Sequence, residues 1–201
     1  MKKILLLLLF VVLPFQSIHA FPNEPSGALG LTYESTVVDL IKLFPSAEES
    51  NIDLLGLDHY SVNLDFRLYK LQAALASFSF MDGRLFAIDI IFSPEEVYDT
   101  TGLDSYYSAE NLDAIVDIMF IFGSDDLSKE DRSIKKLSIL LEARLTDLYG
   151  EPEVQEYNGM VAILWRGRIS GVYLNYDNSS IQIIDSSRVI EFGKRYHGKT
   201  Q

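Results

Sequence analysis

Carboxylates dominate the groups in this chain that could do chemistry. Between Arg84 and Lys129 there is no Lys or Arg, while ten acids occur: Asp89, Glu95, Glu96, Asp99, Asp104, Glu110, Asp113, Asp117, Asp125 and Asp126. If residues 108–122 form a helix, Glu110, Asp113 and Asp117 fall at i, i+3 and i+7 on one side of it. Like charges so spaced cost a helix about 0.2–0.5 kcal/mol per pair, so they do nothing for the helix itself. Together with Asp125 and Asp126 they form the candidate contact for a basic protein or peptide. A merely solvated helix face is the competing reading.

The other reactive residue types form no recognisable machinery. His59 stands next to Asp58, but neighbours on a strand point to opposite faces, so the pair is not a base with its orienter. Ser133-Ile134-Lys135-Lys136 matches Ser-x-x-Lys, without the companion motifs of penicillin-recognising enzymes. On a helix, Ser133 and Lys136 fall on the polar side. The window from Asp99 to Glu110 has acids at both ends of a calcium-loop length. Its interior fails, with Leu103 at the fifth place and Asp104 where Gly is required. Adjacent acids such as Glu95 and Glu96 are too abundant to single out a glycosidase pair. Zero Cys excludes disulfides, thiol catalysis and thiolate metal sites. Trp165, the lone Trp, reads as core or rim packing, and Asn178-Ser179-Ser180 is a formal glycosylation sequon. No catalytic residue, cofactor or metal is assigned.

The amino terminus places the chain. Met1, Lys2 and Lys3 precede an apolar run from Ile4 to Phe15, broken only by Pro14, and then Gln16-Ser17-Ile18-His19-Ala20. This is the layout of a secretory signal peptide over residues 1–20, cleaved after Ala20. The run is shorter than the roughly 20 apolar residues a membrane span needs. The expected location is the periplasm or the medium, with no membrane span after cleavage. Cleavage takes away two of 17 bases and no acid, leaving 15 bases against 29 acids, a net charge of −14. The imbalance is one-sided: residues 21–126 hold 4 bases and 19 acids, residues 127–201 hold 11 bases and 10 acids. Such a field repels nucleic acid and anionic lipid, and attracts cationic partners.

The elements that must position these residues follow from periodicity. Residues 21–30 read as an extended leader. Thr36 caps a short helix with Val37, Leu40, Ile41 and Phe44 on one face, stopped by Pro45. Tyr60–Tyr69 alternates as a half-buried strand. The next two strands meet at Met81-Asp82-Gly83. A three-residue loop with Gly83 left-handed would put Phe78 opposite Phe86 and all large residues on one face. Ser108–Phe122 and Ser128–Tyr149 read as helices, the latter with the stripe Ile134, Leu137, Leu141, Leu145 and Leu148 and a stop at Gly150. Four strands close the chain: Glu153–Tyr157 and Met160–Arg166 around Asn158-Gly159, then Gly171–Asp177 and Ser180–Asp185 around Asn178-Ser179. In the last pair Leu174 is expected opposite Ile183. Residues 187–201 read as a tail that frays.

These elements predict an α+β fold, an antiparallel sheet with helices packed on one face, within a single domain over 31–186. Its order of elements suggests two helix-plus-strands units, 31–104 and 105–186. Gly30-Leu31-Thr32, Thr36 to Leu40 and Phe44-Pro45, followed by antiparallel strands, resemble the entry of small exported α+β modules. These are the beta-lactamase inhibitor protein fold, a tandem of such units, and the BamE-like outer-membrane assembly lipoproteins. The resemblance covers residues 30–45 and element order; the lipidated Cys of BamE-like proteins is absent. It implies binding rather than chemistry. The expected function is a non-enzymatic exported binding protein, of inhibitor or immunity type, that meets a basic partner through its acidic surface. A small periplasmic hydrolase using carboxylates and a structural envelope component are the alternatives.

Overall fold

The computed structural model describes residues 21–54, 56–95, 98–104, 107–108, 111–112, 114–116, 128–157 and 160–198. Along these the order is β1 (Gly27–Ala28), β2 (Leu31–Thr32), α1 (Val37–Leu43), β3 (Glu48–Leu54), β4 (Leu57–Leu68), β5 (Leu71–Met81) and β6 (Arg84–Phe92). The chain continues with α2 (Lys129–Tyr149), β7 (Glu153–Tyr157), β8 (Met160–Arg166), β9 (Ser170–Asn175), β10 (Ser180–Asp185) and α3 (Ser186–Gly198). Residues 111–112 and 114–116 are also helical. The fold is α+β, as expected. β1 and β2 form a small ribbon, and the other eight strands form one antiparallel sheet in the order β3-β4-β5-β6-β10-β9-β8-β7. Two four-stranded meanders, each preceded by a helix, thus meet where their last strands pair.

Local chemistry accounts for the elements read correctly. The Asp39 carboxylate accepts from Thr36 N and Thr36 Oγ1, both at 2.9 Å, which closes the first turn of α1. Ser128 Oγ accepts from Asp131 N at 3.1 Å to start α2, and Gly150 ends it with φ of 83°. Leu137, Leu140, Leu141, Leu145 and Tyr149 of α2 are buried against one sheet face, with Phe78, Phe80, Ile88, Ile90, Trp165, Val172 and Ile183. Leu112, Ile115 and Val116 join this core. A buried polar clip fixes α2 over the β9–β10 turn: Ser138 Oγ and Ser179 Oγ lie 2.9 Å apart, and Ser179 Oγ donates to Ile134 O at 2.7 Å.

Three expectations need correction. The stretch read as a fraying tail is helical from Ser186 to Gly198. Asp185 Oδ1 accepts from Ser187 N at 2.9 Å at its start. Val189 and Phe192 bury against Leu57, Met81, Phe86, Ala87, Leu164, Tyr173 and Ile184, on the sheet face opposite α2. Helices therefore cover both faces. That explains the second correction. The β5–β6 turn has two residues, Asp82 and Gly83, with φ of 53° and 75°, and a bulge at Phe86. Phe78 pairs with Ile88 rather than Phe86. The expected register assumed that only one face was apolar. In the structure Phe86 turns to the second face and stacks on Phe192, ring centroids 5.2 Å apart. The positive φ of Gly83 is as expected. Third, Leu174 pairs with Ile181, not Ile183, because the β9–β10 turn starts at Tyr176 and spans four residues. A slip of two residues keeps every side chain on its face, so the sequence pattern could not detect it.

The leader is built into this frame. Phe21 meets Tyr149 edge-on, centroids 5.2 Å apart, and Asn23 Nδ2 donates to Leu148 O at 2.8 Å. The Glu24 carboxylate accepts from Ile169 N and, at 2.8 Å, from Ser170 N. Residues 21–24 therefore bridge the end of α2 to the β8–β9 turn.

Candidate functional site

The five residues expected to contact a partner, Glu110, Asp113, Asp117, Asp125 and Asp126, lie outside the described residues, as does the signal segment 1–20. Four acids of the base-free run are described: Asp89, Glu95, Asp99 and Asp104. The fold brings cations to the run that are absent from it in sequence. Arg67, from β4, pairs with Glu95. Lys70 Nζ donates to Thr101 O at 2.8 Å, and Arg144 Nη2, from α2, donates to Asp99 O at 2.9 Å. Asp99 Oδ1 accepts from Thr101 N at 2.9 Å, and hydrogen bonds to Thr101 hold its carboxyl below the usual range. The amino-terminal part of the run is thus partly neutralised by Arg67, Lys70 and Arg144.

Exposed acids also gather around α1. Glu34, Asp39, Glu48 and Glu49 are exposed there, with Lys42 as the local base and Arg84 paired to Glu34. Between them Val38 is 74% exposed, Leu43 50% and Ile41 47%. The sequence pattern assigned Ile41 to the buried face, but the contact surface offered by the sheet takes Leu40, with Val37 and Phe44 beside it. Val38 and Ile41, three residues apart, share one exposed flank of α1, while Leu43 lies on the other flank, near Gly30.

The remaining candidates find structural positions. Ser133 Oγ donates to Lys129 O at 3.0 Å, one turn back along α2, so its hydroxyl proton is not directed at Lys136. Trp165 is 2% exposed, and its Nε1 donates to Gly150 O at 2.6 Å. His59 lies within β4, and its Nδ1 stands 3.0 Å from Ser79 Oγ. A serine beside a histidine nitrogen is two-thirds of a nucleophilic triad. Among the described residues the third group is missing: His59 Nε2 is buried with no partner there, so none of their carboxylates orients the ring. Among the described residues, no three His, Asp or Glu side chains converge as metal ligands would.

Two raised carboxyls were not singled out from the sequence: Glu142 of α2, which accepts from the Tyr176 hydroxyl and is pushed up by burial and then by Glu151, and Asp89. Asp89 sits in β6 on the face opposite α2, and Gln182 Nε2 from β10 donates to its Oδ1 at 3.0 Å and Oδ2 at 3.2 Å. Burial pushes its carboxyl up to about 6, against a smaller lowering by Gln182. Its sequence signal was its place in the alternation Phe86, Ile88, Ile90, which sends residue 89 to the other side. That side was assumed wet.

Comparison with protein-family models, curated proteins and solved structures returned no match. Among the described residues no helix is long and apolar enough to cross a membrane.

Proposed function

We propose that this chain is an exported, non-enzymatic binding protein, of inhibitor or immunity type, that captures a basic protein. The observation that carries the reading is the exposed apolar pair Val38 and Ile41 on one flank of α1, with the exposed acids Glu34, Asp39, Glu48 and Glu49 close to it in the chain. It lies in the half of the chain with 19 acids and 4 bases. Exposed apolar groups inside a charged rim are the usual make-up of a contact surface. The carboxylates would speed encounter with a cationic surface, and that gain falls as salt screens beyond about 8 Å at physiological ionic strength. The base-free run through Asp126 would extend the same field. The hydrolase reading requires two carboxylates held at divergent pKa in one cleft. Asp89 and Glu142 are raised, but the partner of Asp89 is an amide and that of Glu142 is the Tyr176 hydroxyl, with Glu151 adding repulsion.

The test is capture of exported host proteins on the immobilised protein at low and high salt. Two variant sets are compared with wild type: Glu48→Lys with Glu49→Lys, and Glu110→Lys with Asp113→Lys and Asp117→Lys. Capture of a basic protein that weakens with salt and with either charge reversal, at unchanged melting temperature, supports the reading. Capture unaffected by salt and by both sets refutes it.

A further inference from the structure

The ladder between β6 and β10 joins the β3–β6 meander to the β7–β10 meander. Its registered pairs run Ser180↔Ile91, Ile181↔Ile90, Gln182↔Asp89, Ile183↔Ile88 and Ile184↔Ala87. The central pair is polar, and its neighbours along the seam on the α2 side are isoleucines. Gln182 is 8% exposed. Its amide nitrogen is shared between both Asp89 oxygens, while its amide oxygen is buried and has no partner among the described residues. A buried acceptor left without a donor keeps its full desolvation penalty. The carboxylate, an acceptor only, cannot supply that donor. The protonated acid can. Its O–H would donate to Gln182 Oε1 while its other oxygen accepts from Nε2, giving two reciprocal hydrogen bonds.

We propose that Asp89 and Gln182 form a proton-operated latch at the seam of the sheet, open when Asp89 is ionised and closed when one proton completes the acid–amide pair. The charged and titratable groups on the same face include Glu48, His59, Arg67 (paired with Glu95), Tyr173, Arg166 and Glu153, with Arg188, Glu191 and Arg195 on α3. Arg188 donates to Met81 O, Arg195 to Asp82 and Glu191, and Arg166 to Gln155. His59 bonds Ser79. None of them is the partner of Asp89, so its proton is governed by burial and by Gln182. The sign follows from linkage. The folded carboxyl, at about 6, binds its proton more tightly than the unfolded one, near 3.8. The fold therefore gains stability as pH falls through about 6 towards 4, and the gain is absent above about pH 7.

The experiment is amide hydrogen exchange at Ile88, Ile90, Ile181 and Ile183 of the purified protein between about pH 7.5 and 4.5, corrected for intrinsic exchange. It is read beside the carboxyl carbon shift of Asp89. The expected result is a titration near 6, with seam protection rising by at least about tenfold as the pH falls. Asp89→Asn should hold seam protection independent of pH in this range. Gln182→Met should leave Asp89 titrating, because its burial remains, but with a seam response several-fold smaller than wild type; a merely buried carboxylate would give an equal or larger response without the amide. An Asp89 that titrates below about 5 overturns the latch. So does a wild-type seam response equal to that of Gln182→Met. If Asp89→Asn fails to fold, the wild-type titration and the Gln182→Met comparison decide alone.

Discussion

Gly167→Ala should change sign of effect with the residue at position 24. Gly167 sits in the β8–β9 turn, where its N donates to Ser170 O at 2.8 Å. A Cβ added there would overlap the Glu24 carboxylate. The obstacle is the far end of a flexible side chain, so the carboxylate would swing away rather than the turn break. The cost is then the loss of its bonds to Ile169 N and Ser170 N. Hydrogen bonds to charged groups contribute about 1.5–3 kcal/mol each when buried. Ser170 is fully buried and Ile169 is 47% exposed, so the bond from Ile169 N counts for less and the clamp as a whole for about 2 kcal/mol. Against this, Gly→Ala at a position outside the left-handed region stabilises by about 0.4–1 kcal/mol, through the unfolded chain. Gly167→Ala alone should therefore destabilise by about 1–1.5 kcal/mol, and Glu24→Ala by about 2. In the Glu24→Ala background the same glycine substitution should be neutral or stabilising by about 0.5 kcal/mol. Urea melts of the four proteins close this cycle, with a coupling of about 1.5–2 kcal/mol. Equal effects of Gly167→Ala in both backgrounds would show that residue 24 does not clamp this turn.

Other substitutions probe the second face and its turn. Phe192→Ala empties the stack on Phe86 and should cost about 3 kcal/mol or more, with dye binding to the uncovered sheet; an unchanged melt would place α3 off the sheet. Gly83→Val should cost more than about 1 kcal/mol, because φ of 75° resists a β-branched residue. A Gly83→Asn control, measured by the same melt, should recover most of that loss, since Asn tolerates the left-handed region.

Much of the fold was legible because it rests on local chemistry. The Ser128 cap, the Gly150 stop and the apolar stripe between them are written within one helix length, and the observed α2 has those ends. The bounds of β7, β8 and β10 were equally legible, since alternation and turn residues are local signals. The strand Glu48–Leu54 was not expected. Its residues carry little β preference, and it exists because β4 offers it an edge. Residues 186–198 read as a fraying tail; as a helix they place Val189 and Phe192 on the second sheet face. The sites divide the same way. Ser133 on a polar helix side and Trp165 in the core were readable from pattern, whereas His59 beside Ser79 needed the β4–β5 register.

By itself the sequence determined the charge imbalance, the absence of thiol chemistry and the α+β class. These depend on composition and on contacts between near neighbours. Tertiary structure alone decided which residues meet. It brought Arg67, Lys70 and Arg144 to an acidic run that has no base of its own, and it seated Glu24 on the β8–β9 turn, more than a hundred residues away in the chain. It also turned residue 89 from a member of that run into a half-buried acid at the seam. The physical reason is that alternation tells which residues share a face but not what covers it. Once α3 packs on the second face, the same period of two buries a carboxylate where the pattern had left it to water.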